Sequence, residues 1–323
     1  MHGKNSIFEP WVLVMLTNKC NLQCKLCNIW KEKEKDINLL KLYKVISLIL
    51  QNLQCISCLG ITGGEPFIKE ELLNNFFKSL YLYILRGKIK HFNITTNGTL
   101  PLRVKRFVYS LSDEFLERMS FNVSLDGLES THNYLRGKPV FWKVLETIRI
   151  LVKRGIDTTV NFVINPFNAS DIYSVYTLSK KIGCNVEFEI FSENTPSYYH
   201  YNSKINIKEK DPNWKEICKE EIEKIFEDKQ PICNINQLKV LYEYLSNGQV
   251  KKEIAKKCCT PSKLIFIRAT GEIYSCPHAA PLGNIENFNW DEFTKNRIKM
   301  IKKINYHGCK GCLSTMGALN YVL

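Results

Sequence analysis

The chain has 323 residues, 45% of them apolar, and a net charge of +13 from 45 basic and 32 acidic side chains. That length suits one large domain plus a smaller one, or one barrel-like domain with extensions. No run approaches the ~18 apolar residues of a membrane span. Met1–Pro10 lacks the layout of a signal peptide, so a soluble, cytoplasmic protein with no membrane partner is expected. Thirteen cysteines in such a chain argue against a disulfide framework and for metal or redox chemistry. The basic excess favours acidic partners, but the lysines are spread out with acids interleaved, which reads as a solvated surface. No aromatic-and-basic signature of RNA binding is visible, and a nucleic-acid partner is not expected.

In chain order, the apolar run Trp11–Leu16 reads as a buried strand, and Thr17–Lys19 as the loop leaving it. Cys20, Cys24 and Cys27 follow in a C-x3-C-x2-C pattern. Three thiols on one short loop can converge on an iron–sulfur cluster, leaving one iron of a four-iron cube open to a small molecule. A closed zinc site would want a fourth ligand nearby, and the next cysteine, Cys55, is 28 residues beyond Cys27.

Lys31–Asp36 reads as a charged, flexible stretch, and Leu39 to Leu50 carries helical periodicity. A second strand is expected at Cys55–Ile61, closing on Thr62–Pro66, with a helix over Glu70–Leu85. A third strand, His91–Thr95, leads to a turn through Asn97 and Gly98, then a mostly helical Leu102–Leu116. Strands are expected at Phe121–Leu125, Thr158–Ile164 and Val186–Phe191, and helices at Phe141–Arg154 and Ser170–Ile182. Six strands alternating with helices make an α/β fold whose parallel sheet is closed or partly closed into a barrel. In such folds the C-terminal strand ends carry the active site. The cysteine loop, Gly63–Pro66, Asn97 and Ser124–Gly127 would therefore share one mouth. Ser192–Asp211 reads as a connection or lid, Trp214–Asp228 and Gln237–Leu245 as helices, and Leu264–Ile267 with Glu272–Ser275 as a hairpin.

The cysteine loop after the first strand, with Gly63-Gly64-Glu65-Pro66 after the second, resembles the radical S-adenosylmethionine (SAM) enzymes. Thr95-Thr96-Asn97-Gly98, and Ser124-Leu125-Asp126-Gly127 followed by His132 and Arg136-Gly137, are similar to the same family. The resemblance implies a partial (β/α)6 barrel over about residues 8–195. It implies a [4Fe–4S] cluster on Cys20, Cys24 and Cys27, with SAM chelating the open iron through its amine and carboxylate. Backbone groups of Gly63 and Gly64 would meet the amine, with Glu65 and Pro66 shaping the turn and Glu65 reaching the amine. Asn97, Ser124 and Asp126 are candidates for ribose or carboxylate contacts, and Arg136 for the carboxylate. The competing readings are turn chemistry for Ser124 and Asp126 and a surface position for Arg136. Leu26 stands where the family often has an aromatic residue, which makes packing near the adenine aliphatic. An electron passed to the sulfonium would release methionine and a 5′-deoxyadenosyl radical, which takes a hydrogen atom from the substrate.

The tail over 256–323, joined by a connecting segment at 196–255, resembles a shortened SPASM/twitch extension. Cys259, Cys276, Cys309 and Cys312 would hold one auxiliary [4Fe–4S] cluster, since only eleven residues, none of them cysteine, follow Cys312. Cys258 competes with Cys259, zinc competes with iron there, and His278 is a further candidate ligand. Cys55 and Cys58, three apart within one expected strand, would diverge and stay free.

A substrate that is a peptide or protein residue is expected, against the absence of an N-terminal peptide-binding domain before the barrel. The alternatives are a twitch-type dehydrogenase or epimerase acting on a sugar-like alcohol, and a non-catalytic electron-transfer protein. Ferredoxin or flavodoxin is the expected electron donor.

Overall fold

A computed structural model describes residues 9–191, 211–248, 260–276 and 279–307. Its frame is a parallel sheet. Strands β1 (Trp11–Thr17), β2 (Cys58–Gly63), β3 (Phe92–Thr96), β4 (Met119–Ser124), β5 (Asp157–Ile164) and β6 (Asn185–Ile190) lie in sequence order, each parallel to the next. The helices between them are α1 (Leu39–Asn52), α2 (Glu70–Leu85), α3 (Pro101–Tyr109), α4 (Asp113–Leu116), α5 (Glu129–Arg136), α6 (Phe141–Lys153) and α7 (Ile172–Ile182). This is the alternation that the sequence predicted, and it makes the α/β sheet core of a partial barrel.

Patterning explains the layers. In β5 the side chains of Thr158, Val160, Phe162 and Ile164 are buried under the helices, while Thr159, Asn161 and Val163 alternate onto the half-buried opposite face. Phe67, Phe77, Phe92, Phe107, Phe115 and Phe121 interlock between sheet and helices with ring centroids as close as 5.1 Å. At the start of α1, the Asn38 side chain accepts the backbone N–H of Lys41, a cap worth about 1 kcal/mol.

Beyond the barrel strands come α8 (Trp214–Phe226), α9 (Ile235–Asn247), α10 (Thr260–Lys263), β7 (Leu264–Ile267), β8 (Glu272–Tyr274), β9 (Gly283–Asn284) and α11 (Trp290–His307). The hairpin β7–β8 forms as expected. It continues the barrel sheet rather than standing apart: β7 lies parallel to β1, giving the order β6-β5-β4-β3-β2-β1-β7-β8-β9 among the described residues. β1 is thus a central strand, and the hairpin is bound to the strand that delivers the cysteine loop.

Several expectations are corrected. Lys31–Asp36 is strapped onto the end of β1, not a free stretch. Asn18 grips it by donating to Lys33 O at 2.7 Å and accepting from Lys35 N at 2.6 Å, and Asp36 bridges to Thr17. A single buried amide thus overrides the local charge pattern. β2 begins at Cys58, so Cys55 lies outside it, because Ser57 turns both its N–H and its hydroxyl to Pro10 O. Leu102–Leu116 is mostly helical as expected, in two helices with a break where the Ser110 hydroxyl donates back to Phe107 O. The helices α5 and α11 were not legible: α5 has eight residues and buries only His132 and Leu135, too few for a periodic signal. Most of the expected lid, 192–210, lies outside the described residues, as do Cys258, Cys259, His278, Cys309 and Cys312. No helix among the described residues is long and apolar enough to cross a membrane.

Candidate functional site

The C-terminal ends of β1, β2, β3 and β4 meet around a cavity of about 140 Å³. Cys20, Cys24 and Cys27 form one wall, Gly63 and Gly64 a second, and Thr95, Thr96, Asn97, Ser124 and Arg136 close it. Leu22, Ile29 and Trp30 add apolar lining. The strand-end rule therefore brings most of the expected residues together. Glu65, Pro66 and Asp126 are buried but do not line the cavity.

The loops after β1 and β2 are zipped backbone to backbone. Gly64 N donates to Thr17 O at 2.8 Å and Glu65 N to Lys19 O at 2.9 Å. This contact is what demands the glycines. A Cβ on Gly63 would stand 2.2 Å from Thr17 O, and one on Gly64 would stand 2.1 Å from Lys19 O. Gly63 also has φ +142°, which strains any other residue. The close approach here is to the chain itself.

Glu65 is fully buried and braces a third loop. Its carboxylate accepts from Phe67 N (3.1 Å), the Thr96 hydroxyl (2.8 Å) and Asn97 N (2.7 Å). Burial pushes its pKa up to about 7, against the pull of those donors.

Asp126 faces Arg136. Arg136 Nη2 lies 2.5 Å from Asp126 Oδ2, and Asp126 Oδ1 accepts from Val163 N. Burial works against the guanidinium charge, but Asp126 and the neighbouring Cys24 hold it firmly protonated. Arg136 is not a surface residue, and α5, absent from the sequence reading, is what carries it inward. His132, also fully buried, accepts the Asp126 N–H at Nδ1. Burial, then the nearby Arg136 charge, drives its pKa well below the usual range, so it is neutral with its proton on Nε2. The same helix end grips the cysteine loop: Lys25 N donates to Leu135 O, and Lys138 Nζ to Asn21 O.

The three thiols are half-buried at the cavity wall. Burial pushes Cys20 up to about 12 and Cys27 up to about 11. Such thiols become thiolates only against a strong positive charge, which iron supplies. Among the described residues, no group of three or more His, Cys, Asp or Glu side chains is arranged to hold a single metal ion. A four-iron cube spreads its thiolates over separate irons, so a wider ring of sulfurs suits it. Arg136 Nε is a buried donor with no hydrogen-bond partner beside the cavity, a position suited to an acidic ligand group. The residues present therefore fit a cluster with an anionic ligand.

One contact escaped the sequence. Glu32, just past the cysteines, pairs with Arg268 on the hairpin turn at 2.8 Å, tying the tail to the loop across 236 positions. No local pattern announces that pair. Cys276 is buried just after β8; its expected partners lie outside the described residues.

Residues 14–178, just over half of the chain, match the family model of the Radical SAM superfamily. The GTP 3′,8-cyclase of Sulfurimonas denitrificans is 29% identical over 191 residues, 57% of this chain and 56% of that protein. The serine-type anaerobic sulfatase-maturating enzyme of Bacteroides thetaiotaomicron is 30% identical over 183 residues, 51% of this chain and 42% of that protein. The chain spans about half the length of the curated relatives it matches. Among solved structures, anSMEcpe with bound AdoMet and Cp18Cys peptide is similar at TM-score 0.69 and 19% identity, over 92% of this chain and 83% of that one. Streptococcus suis SuiB bound to the precursor peptide SuiA is similar at TM-score 0.59 and 16% identity, over 90% and 67%. At these identities the likeness is one of fold.

Proposed function

The chain belongs to the radical SAM superfamily, and on that premise we propose that it is an enzyme that modifies a residue of a peptide or protein. Members of the superfamily use a [4Fe–4S] cluster and SAM, which together supply a carbon-centred radical by one-electron cleavage of the sulfonium. Family membership favours an enzyme over the electron-transfer reading. In this proposal Cys20, Cys24 and Cys27 hold the cluster, and Gly63, Gly64, Asn97, Ser124 and Arg136 hold SAM. Glu65, Pro66 and Asp126 act from behind the wall by fixing those residues. The apolar side chains of Leu22, Ile29 and Trp30 exclude water from the reacting centre.

The observation that carries this reading is the single cavity that all three thiols share with Gly63, Gly64 and the partly buried Arg136. A peptide substrate is supported by the sulfatase-maturating relative and by fold neighbours with bound peptides. The auxiliary cluster on Cys259, Cys276, Cys309 and Cys312 rests on the cysteine spacing and on the hairpin that brings Cys276 beside the sheet. A second reading, a small-molecule substrate, is favoured by the GTP 3′,8-cyclase relative. A low-potential ferredoxin or flavodoxin is the proposed electron donor.

The test is anaerobic reconstitution with iron and sulfide, then reduction in the presence of SAM. Release of 5′-deoxyadenosine is expected, and its loss in Cys20→Ala, Cys24→Ala and Cys27→Ala. No release from protein with its iron in place overturns the enzyme reading. Stimulation by a short peptide encoded beside the gene, and not by GTP or a sugar alcohol, supports the peptide class; the reverse supports the second reading.

A further inference from the structure

We infer that Asn97 and Arg136 are positioning residues that donate N–H···S hydrogen bonds to the cluster thiolates of Cys20 and Cys24, and thereby set the cluster's reduction potential. This rests on the proposed cluster at Cys20, Cys24 and Cys27.

The geometry is specific. Asn97 Nδ2 lies 3.8 Å from Cys20 Sγ, and Arg136 Nη1 lies 3.8 Å from Cys24 Sγ. The two donors come from different elements, the loop after β3 and the last turn of α5, and each is held by a buried carboxylate. Glu65 accepts the Asn97 backbone N–H at 2.7 Å, and Asp126 pairs with Arg136 at 2.5 Å.

The orientation of the Asn97 amide is fixed by chemistry. Thr99 gives its backbone N–H and its hydroxyl to Asn97 Oδ1, at 3.0 and 2.6 Å. A backbone N–H can only donate, so the oxygen must be there. The NH₂ group then faces the other way, with one hydrogen for Asn21 Oδ1 at 2.9 Å and one for Cys20. Arg136 has one terminal nitrogen committed to Asp126, which turns the other to sulfur.

Net charge and hydrogen bonds to the sulfurs are what tune iron–sulfur potentials. Reduction adds one electron to a cluster held in a half-buried site, where a nearby donor is worth more than in water. A donor at a thiolate stabilises the reduced state and raises the potential. Arg136 adds a full charge and Asn97 only a dipole, so Arg136 has the larger effect. A purely structural Arg136–Asp126 pair would hold the loop without moving the potential.

The experiment uses the full chain reconstituted anaerobically with iron and sulfide. Reductive titration is followed by electron paramagnetic resonance without SAM, and the signal that changes on adding SAM to the native protein identifies the Cys20–Cys27 cluster in all variants. Arg136→Gln is expected to have the most negative midpoint, Asn97→Ala an intermediate one and the native protein the highest, with Arg136→Lys recovering part of the shift. Asn97→Asp, which puts a carboxylate beside the thiolate, falls below Asn97→Ala. Where Arg136→Gln fails to assemble its cluster, the Asn97 pair decides the question. Variant midpoints of that same signal equal to the native value overturn the inference. A native protein that forms no SAM-responsive signal overturns instead the cluster assignment beneath it.

Discussion

The backbone N–H of Asn97 donates to Glu65 Oε2 at 2.7 Å, and this one bond joins the loop after β3 to the loop after β2. Glu65 N in turn donates to Lys19 O, so three loops at the mouth form one hydrogen-bonded unit. The carboxylate at its centre makes no contact with the cavity. Its work is to fix the residues that do.

Glu65→Gln keeps the volume but turns an NH₂ group toward at least one of the three donors that now point at oxygen. Leaving buried donors unmet costs about 1–3 kcal/mol. Urea denaturation of the cluster-free protein should show that loss, and Glu65→Ala a greater one. Unchanged stability in both variants would mean that water or a backbone shift replaces the brace.

Gly64→Ala should prevent loading of the Cys20–Cys27 cluster, because its Cβ would meet Lys19 O at 2.1 Å. Gly87→Ala is the control. It has φ +66° but nothing within 4 Å of the added carbon, so it costs only the left-handed backbone penalty of about 1–2 kcal/mol. Iron per chain after reconstitution separates the two: it should fall for Gly64→Ala and hold for Gly87→Ala.

Asp126→Asn strands the largely enclosed Arg136 charge, whose side chain is 14% exposed. Breaking such a pair costs about 3–5 kcal/mol, more than replacing both partners with apolar groups of similar volume. The double variant Asp126→Asn with Arg136→Met is therefore expected to be more stable than Asp126→Asn alone. A double-mutant cycle on the cluster-free protein measures the difference, and strict additivity would show that the pair does not couple.

Glu187, on β6, gives a pH signature. Burial first, then the neighbouring Glu189 charge, pushes its carboxyl up to about 8. A carboxyl raised in the folded state binds more protons than it does unfolded. Its contribution is complete below the ordinary carboxylate range and is lost as pH rises toward 8. Stability should fall with pH between about 5 and 8 by at most about 1.4 kcal/mol per unit from this group. Glu187→Gln should flatten that slope. Parallel slopes in the two proteins would show that Glu187 is not the source.

The cysteine loop was legible because ligand spacing is a local property, as was Gly63–Pro66 because it closes a strand. Asn97 and Ser124 were legible by rule, since parallel strands deliver their C-terminal loops to one end. The inward placement of Arg136 was not, because the eight residues of α5 carry too little periodicity to mark a helix. The strapping of Lys31–Asp36 was hidden for a different reason: its charges are solvated while its backbone is held by Asn18.

By itself, the sequence determined the alternating α/β sheet, the three-thiol loop and the strand ends that would surround it, because these follow from residue type and short-range spacing. Only the tertiary structure decided that Glu65 and Asp126 brace neighbouring loops at the mouth. It also decided that Gly64 yields to Lys19 O, and that Glu32 meets Arg268 across 236 positions. Those contacts depend on how loops distant in sequence pack at the mouth, and packing at that range leaves no local mark.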